Sequence, residues 1–170
     1  LKDYKWEYNL VDDKSVNAWC MPGGKIVFYT GILPIAKNEA GIAAIMGHEV
    51  AHALANHGQQ RMSAGMIQQG VGAGVAIATK DKSDSEQEIW MQAFAVGSSV
   101  GGMLPFSRSH ETEADEIGLY LTAIAGYNPD EASLLWERMK ANSDGKSPPE
   151  FLSTHPSNDS RIANLRTLSN

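Results

Sequence analysis

The segment His48-Glu49-Val50-Ala51-His52 constrains this chain more than any other. On a helix, positions i and i+4 lie on one face, so His48 and His52 aim two imidazoles at one point. Glu49 is rotated about 100° from His48, beside that point and not on it. Ile42, Ala43, Ile45, Met46, Val50 and Leu54 make the surroundings apolar. Two imidazoles and a carboxylate buried there are costly unless they share a partner. A metal ion is such a partner, and a carboxylate beside it can take a proton from water.

Two histidines do not complete a catalytic zinc site, which uses three protein ligands and one open position. The single cysteine, Cys20, excludes a cysteine-based site and any internal disulfide. On a strand it reads as a small hydrophobe. The third ligand is therefore an imidazole or a carboxylate on another element, and residues 107–115 offer candidates. Glu111 and Asp115 share a helical face: Glu111 can bind the metal, and Asp115 can accept the second N–H of a ligand imidazole. Glu113 falls on another face, toward solvent. His110 points about 100° away from Glu111 and reads as a capping or surface residue. His57 is expected at the C-terminus of the His48 helix, where a partial positive charge is favourable. Trp19, Trp90 and Trp136 read as core or interface bulk.

The 170 residues suit one domain, 1–170. A net charge of −6 argues against a nucleic-acid partner. Short runs rich in Val, Ile, Phe, Tyr and Trp around Tyr8, Val16 to Met21 and Lys25 to Thr30 predict a three-stranded sheet, with Pro22-Gly23-Gly24 as a hairpin turn. Helices follow. The first has Asn38 as N-cap, runs to about His57, and is ended by Gly58. Others are expected over Met62 to Thr79, Glu86 to Leu104 with Pro105 as stop, from a Ser107 or Ser109 cap to Gly126, from Asn128 to Ala141, and from Asn158 to Leu168. Asp81 to Glu88 reads as a solvated link and Asn142 to Glu150 as a loop. The fold class is α+β, mostly helical, with a small N-terminal sheet. The apolar stretches Gly65 to Ala78 and Phe94 to Leu104 are too short and too interrupted to span a bilayer. The chain opens on Leu1, so any signal or lipid anchor is expected upstream.

With these residues in place the chain resembles the HtpX and CAAX prenyl protease family of gluzincin metallopeptidases. The resemblance rests on His48-Glu49-x-x-His52 and on S-R-x-x-E-x-x-A-D over 107–115. It rests also on Asn17-Ala18, Pro22-Gly23-Gly24-Lys25-Ile26 and Tyr29-Thr30-Gly31, and on Thr154-His155-Pro156 followed by Arg161-Ile162-Ala163-Asn164-Leu165. It implies a zincin-like domain whose two zinc-bearing helices hold one Zn2+ per chain through His48, His52 and Glu111. Glu49 matches the general base and Asp115 the residue that orients a zinc histidine. His155 and Arg161 match a late pair at the oxyanion, and in some members the late histidine instead fills the fourth zinc position. Asn17 matches an edge-strand position that engages substrate backbone.

The activity so implied is that of a zinc metalloendopeptidase cutting extended or misfolded protein segments, bound by strand addition along Asn17 to Met21. The resemblance to the soluble branch, which lacks transmembrane helices, places the protein in the bacterial cell envelope, periplasmic or lipid-anchored, in protein quality control. Two rivals stand beside this reading. One is a zinc-bearing chaperone or assembly factor with latent proteolysis. The other is a structural metal site in an interaction domain.

Overall fold

The computed structural model describes residues 3–143, 150–156 and 159–169. The short β-branched and aromatic runs form strands β1 (Glu7–Val11), β2 (Ala18–Met21) and β3 (Lys25–Tyr29). Their order is β1-β3-β2, with β1 parallel and β2 antiparallel to β3. The β2–β3 hairpin closes through Gly23 and Gly24, both at positive φ, as the sequence predicts. β3 supplies the buried Ile26, Val27 and Phe28, which leaves β2 at the sheet edge.

A 3-10 turn (Thr30–Ile32) and a short helix α1 (Leu33–Ala36) lead into α2 (Glu39–Leu54). Asn38 caps α2 as expected, its Oδ1 accepting from the Gly41 N–H at 2.9 Å. The helix ends sooner than expected. Asn56 adopts a left-handed φ of 57°, which breaks the helix before Gly58 is reached. His57 then opens α3 (His57–Ala78), so Gly58 lies inside a helix.

After Lys80 to Lys82, a capping box between Ser83 and Glu86 starts α4 (Asp84–Ser98), which shortens the expected solvated link. Pro105 does not stop the next helix. A π-helical segment (Ser99–Met103) precedes it, and Pro105 is the second residue of α5 (Leu104–Ile124). There its missing N–H costs little. Ser107 and Ser109 thus lie within α5 and do not cap it, and Ser109 Oγ donates to the Phe106 carbonyl at 2.8 Å. Gly126, at φ 87°, follows the end of α5. α6 (Asp130–Ser143) starts at the expected Asn128-Pro129 signal, with Asn128 Oδ1 accepting from the Asp130 N–H. α7 (Glu150–Thr154) and α8 (Asp159–Ser169) close the chain. Most of the loop expected over 142–150 and the start expected at Asn158 lie outside the described residues.

The chain divides into two compact units, Leu1–Asn56 with Glu111–Asn170, and His57–His110. The first contains the core, where Ile26 and Phe28 meet Ile45, Leu119, Trp136, Met139 and Phe151. In it α2 and α5 cross at backbone contact. A Cβ on Gly47 would lie 2.6 Å from the Gly118 carbonyl oxygen, and one on Gly118 would lie 2.8 Å from the His48 nitrogen. Thr122 Oγ1 donates to the Ala43 carbonyl across the same crossing. In the second unit α3 and α4 pair through Gln68 Nε2 and Ser98 Oγ at 2.8 Å. Its large apolar side chains face outward: Met62, Ile67 and Ile77 are each more than 65% exposed. No described helix is long and apolar enough to cross a membrane.

Gly118→Ala should force α2 and α5 apart at His48. We expect a loss of about 1–3 kcal/mol, since overpacking against backbone leaves no side chain to yield. Thermal melting should show a fall of roughly 3–10 °C, against no fall and a small rise for Gly74→Ala, inside α3, where a Cβ meets nothing within 4 Å.

Candidate metal centre and active site

The crossing of α2 and α5 sets the site. α2 presents His48, Glu49 and His52, and α5 presents Glu111 and Asp115. The loop after α7 brings His155, and α8 brings Arg161. All seven side chains are buried. His48, His52, Glu111 and His155 converge so that one ligand atom of each lies within 4.8 Å of the others. His48 Nε2 is 3.1 Å from His52 Nε2, 3.3 Å from His155 Nδ1 and 3.3 Å from Glu111 Oε2. Glu111 is 3.4 Å from His52 Nε2 and 3.1 Å from His155 Nδ1.

These separations test the fit of a metal ion. Tetrahedral ligands about 2.0–2.1 Å from zinc stand about 3.3 Å from one another, near the 3.1–3.4 Å of these contacts and within the 4.8 Å that bounds the four ligand atoms. Charge tests it again. Glu49, Glu111 and Asp115 against Arg161 alone leave a formal −2 in a buried place, which a divalent cation offsets. The donor set of imidazoles and a carboxylate suits zinc. The residues fit.

A second tier holds the first. His48 Nδ1 lies 3.1 Å from Asp115 Oδ1, the contact expected of the orienting carboxylate. Arg161 grips Asp115 with Nε and Nη2 at 2.7 and 2.6 Å. Its Nη1 lies 3.1 Å from Glu111 Oε2 and donates to the Pro156 carbonyl at 2.9 Å. The guanidinium expected at an oxyanion is therefore engaged beneath the ligands. His155 Nε2 lies 3.4 Å from Glu49 Oε1. The Cys20 backbone N–H on β2 donates to the Glu49 carboxylate, so the sheet edge runs past the expected base. Asn17 precedes β2 and is not in the ligand cluster. Its Oδ1 accepts from Ala18 N–H and its carbonyl from Tyr29 N–H.

Protonation follows from these contacts. Burial opposes the His48 cation, but Asp115 and Glu111 more than offset it and push the imidazole up to about 9. His52 is driven down to about 3, chiefly by burial. Glu111 lies well below the usual carboxylate range: burial would raise it, and the three histidines outweigh that. Asp115 is lowered too, its burial outweighed by Arg161 and His48. Burial raises Glu49, as suits a group that accepts a proton. Burial and the Glu49 charge push the Cys20 thiol up to about 11, in keeping with an inert side chain.

Two sequence expectations fail in the second unit. His57 is the buried first residue of α3, not a C-terminal helix residue, and His110 is buried, not superficial. Their rings stack at 4.0 Å and 12°, and His110 Nε2 lies 3.0 Å from Gln60 Oε1. No local pattern announces a pair so far apart in the chain. Trp136 lies in the core, as the sequence predicts, and it also adjoins the site. It stands edge-on to His48 at 5.5 Å and lies under Arg161.

The chain was compared with known proteins. A sequence model of peptidase family M48 matches residues 1–169. Mitochondrial metalloendopeptidase OMA1 of Schizosaccharomyces pombe is 40% identical over 97% of this chain and 47% of its own length. The protein of that name in Saccharomyces cerevisiae is 37% identical over the same shares. The beta-barrel assembly-enhancing protease of Escherichia coli is 27% identical over 97% of this chain and 34% of its own length. The chain thus spans about half, or less, of the curated relatives it matches. The names overturn one expectation. Relatives at 40%, 37% and 36% identity are mitochondrial by name, which corrects the bacterial-envelope location, periplasmic or lipid-anchored, drawn from the resemblance.

Stripped with a chelator, the protein should lose stability as pH rises above the ordinary histidine pKa of 6.5 and again as it falls below the ordinary carboxylate pKa of 4.5. His48 is raised, so its contribution is complete below 6.5 and is lost as pH climbs through about 9. His52 is lowered, so below 6.5 the unfolded chain binds a proton that the fold resists until about 3. Glu49 is raised and opposes that loss down to 4.5, below which the lowered Glu111 and Asp115 add to it. Zinc takes the place of these protons, so the loaded protein should keep its Tm across the alkaline limb. Melts at roughly pH 4, 6 and 9, with and without zinc, check this. A metal-free profile without a maximum would contradict it.

Proposed function

This chain belongs to peptidase family M48, and from that premise we propose that it is a zinc-dependent metalloendopeptidase that cuts extended or misfolded segments in protein quality control. We propose one domain, 1–170, holding one zinc ion through His48, His52 and Glu111. The observation that carries the reading is the convergence of His48, His52, Glu111 and His155, one ligand atom of each within 4.8 Å of the others, with a buried carboxylate, Glu49, beside them and not among them.

When bound, zinc supplies Lewis acidity and acidifies a water to a pKa of about 7. Glu49 accepts the proton of the attacking water and returns it to the departing amine nitrogen. Asp115, 3.1 Å from His48 Nδ1, favours the tautomer that carries its proton there and leaves the Nε2 lone pair for a metal. Arg161 acts on Asp115 and Glu111 as their counter-charge. The edge of β2 offers backbone groups to an extended peptide, which pairs along Asn17 to Met21 past Glu49. Recognition through backbone favours unfolded or loop segments of broad sequence.

His155 supports a second reading. Its Nδ1 stands at ligand distance from both His48 and Glu111, in the corner that a catalytic site keeps for water. We propose that this arrangement is a resting, closed form of the enzyme, with chaperone-like holding of clients while it persists. A purely structural metal site would also have four closed ligands. It would have no use for Glu49, buried with its Oε1 accepting no hydrogen bond among the described residues.

Three substitutions test the reading. Glu49→Gln should keep about one zinc per chain and lose at least about a thousandfold in casein hydrolysis; unchanged activity would refute the enzyme. Glu111→Ala should empty the site, and full zinc by metal analysis would mean that the third ligand is misassigned. His155→Ala, assayed with zinc in excess, should cut casein faster than the parent. A slower variant would make His155 part of the catalysis instead of its gate.

A further inference from the structure

Trp136 is one of the largest side chains in the core, and its sequence context suggests only bulk. Its neighbours are unusual for bulk. The Arg161 guanidinium carbon lies 4.2 Å from the centre of its ring. The His48 ring meets it edge-on at 5.5 Å and 76°. Phe151 stacks beside it at 5.6 Å and 28°, and Phe151 in turn lies 4.7 Å from the His155 ring. A single indole on α6 therefore touches one expected zinc ligand, the cation that serves two carboxylates of the site, and the aromatic ring that backs a third imidazole.

From this geometry we infer that Trp136 is a positioning residue: it is the aromatic platform on which the Arg161 guanidinium rests, limiting how its fork can turn, so that Arg161 can grip Asp115 and Glu111 at once. The argument is one of degrees of freedom. A guanidinium is a planar fork whose donors leave in fixed directions. Arg161 must send Nε and Nη2 to Asp115 at 2.7 and 2.6 Å while Nη1 reaches Glu111 at 3.1 Å and the Pro156 carbonyl at 2.9 Å. All four contacts hold only if the fork stays in one plane, and the face of an indole fixes a plane that an aliphatic side chain does not. The buried cation gains in addition from the ring's negative face where water cannot reach it. The consequence passes outward: Arg161 fixes Asp115, Asp115 fixes the His48 ring, and Trp136 limits that ring's rotation from its own edge.

The inference rests on the zinc-peptidase reading and deepens it. Its test is zinc affinity by competition with a chromogenic chelator, beside kcat and KM on a quenched-fluorescence casein peptide. Trp136→Leu should weaken zinc binding by about 10–100-fold, the usual cost of losing support behind a ligand. It should lower kcat in saturating zinc with little change in KM. Met139→Ala, an equally buried core change on the same helix, should lower Tm and leave zinc affinity within about twofold. In an Arg161→Lys background, where no planar fork remains to be held, Trp136→Leu should add less than about twofold to the loss of zinc affinity. If Trp136→Leu does not fold, Trp136→Phe carries the same cycle with a smaller effect. Parent-like zinc binding by the Trp136 variant, multiplicative losses in the cycle, or an equal loss in Met139→Ala would each overturn the inference. A parent that binds no zinc would instead refute the reading beneath it.

Discussion

The site depends on two helix backbones in contact. Gly47 and Gly118 have no side chains, so α2 and α5 approach until a Cβ on either would strike the other's backbone. His48 follows Gly47, and Asp115 lies one turn before Gly118. That close approach is why an imidazole and a carboxylate from distant parts of the chain meet at 3.1 Å. A wider crossing would leave Glu111 short of the two histidines, and the ligand atoms would not share one ion.

Burial makes the arrangement both expensive and exacting. Carboxylates and imidazoles removed from water must satisfy one another. Arg161 answers Asp115 and Glu111 together, and Asp115 answers His48. The remaining negative charge pushes His48 toward its protonated form, and burial does the same to Glu49, the response of a site that suits a divalent cation. The same closeness explains His155: a ring nitrogen 3.1 Å from Glu111 and 3.3 Å from His48 fits the fourth corner, so one set of contacts can serve a closed resting form and a metal site.

Much of this was legible beforehand because it is local or carried by short motifs. The caps at Asn38 and Asn128, the Gly23-Gly24 turn and the i, i+4 pairs on α2 and α5 follow from bonds within a few residues. The misreadings are cases where neighbouring structure overrode a local signal. Gly58 is a plausible helix stop, but Asn56 turned left-handed first. Pro105 is a plausible breaker, but the π segment before it let the chain continue as a helix. His57 reads as a helix C-terminal residue and His110 as a capping or surface one, and in the fold both are buried with their rings stacked.

The sequence by itself determined the chemistry on offer: two imidazoles one helical turn apart, a carboxylate rotated to their side, and a second helix bearing two more acids. Those follow from the 3.6-residue period and the pKa ranges of the side chains. The sequence and its resemblance also offered Glu111 for the metal, Asp115 for a ligand imidazole and His155 for a fourth place. Tertiary structure decided the distances at which they meet, turned Arg161 inward onto both acids, and set Trp136 beneath it. These are contacts between residues far apart in the chain. Their distances are set by how closely helices pack, and no local periodicity encodes that.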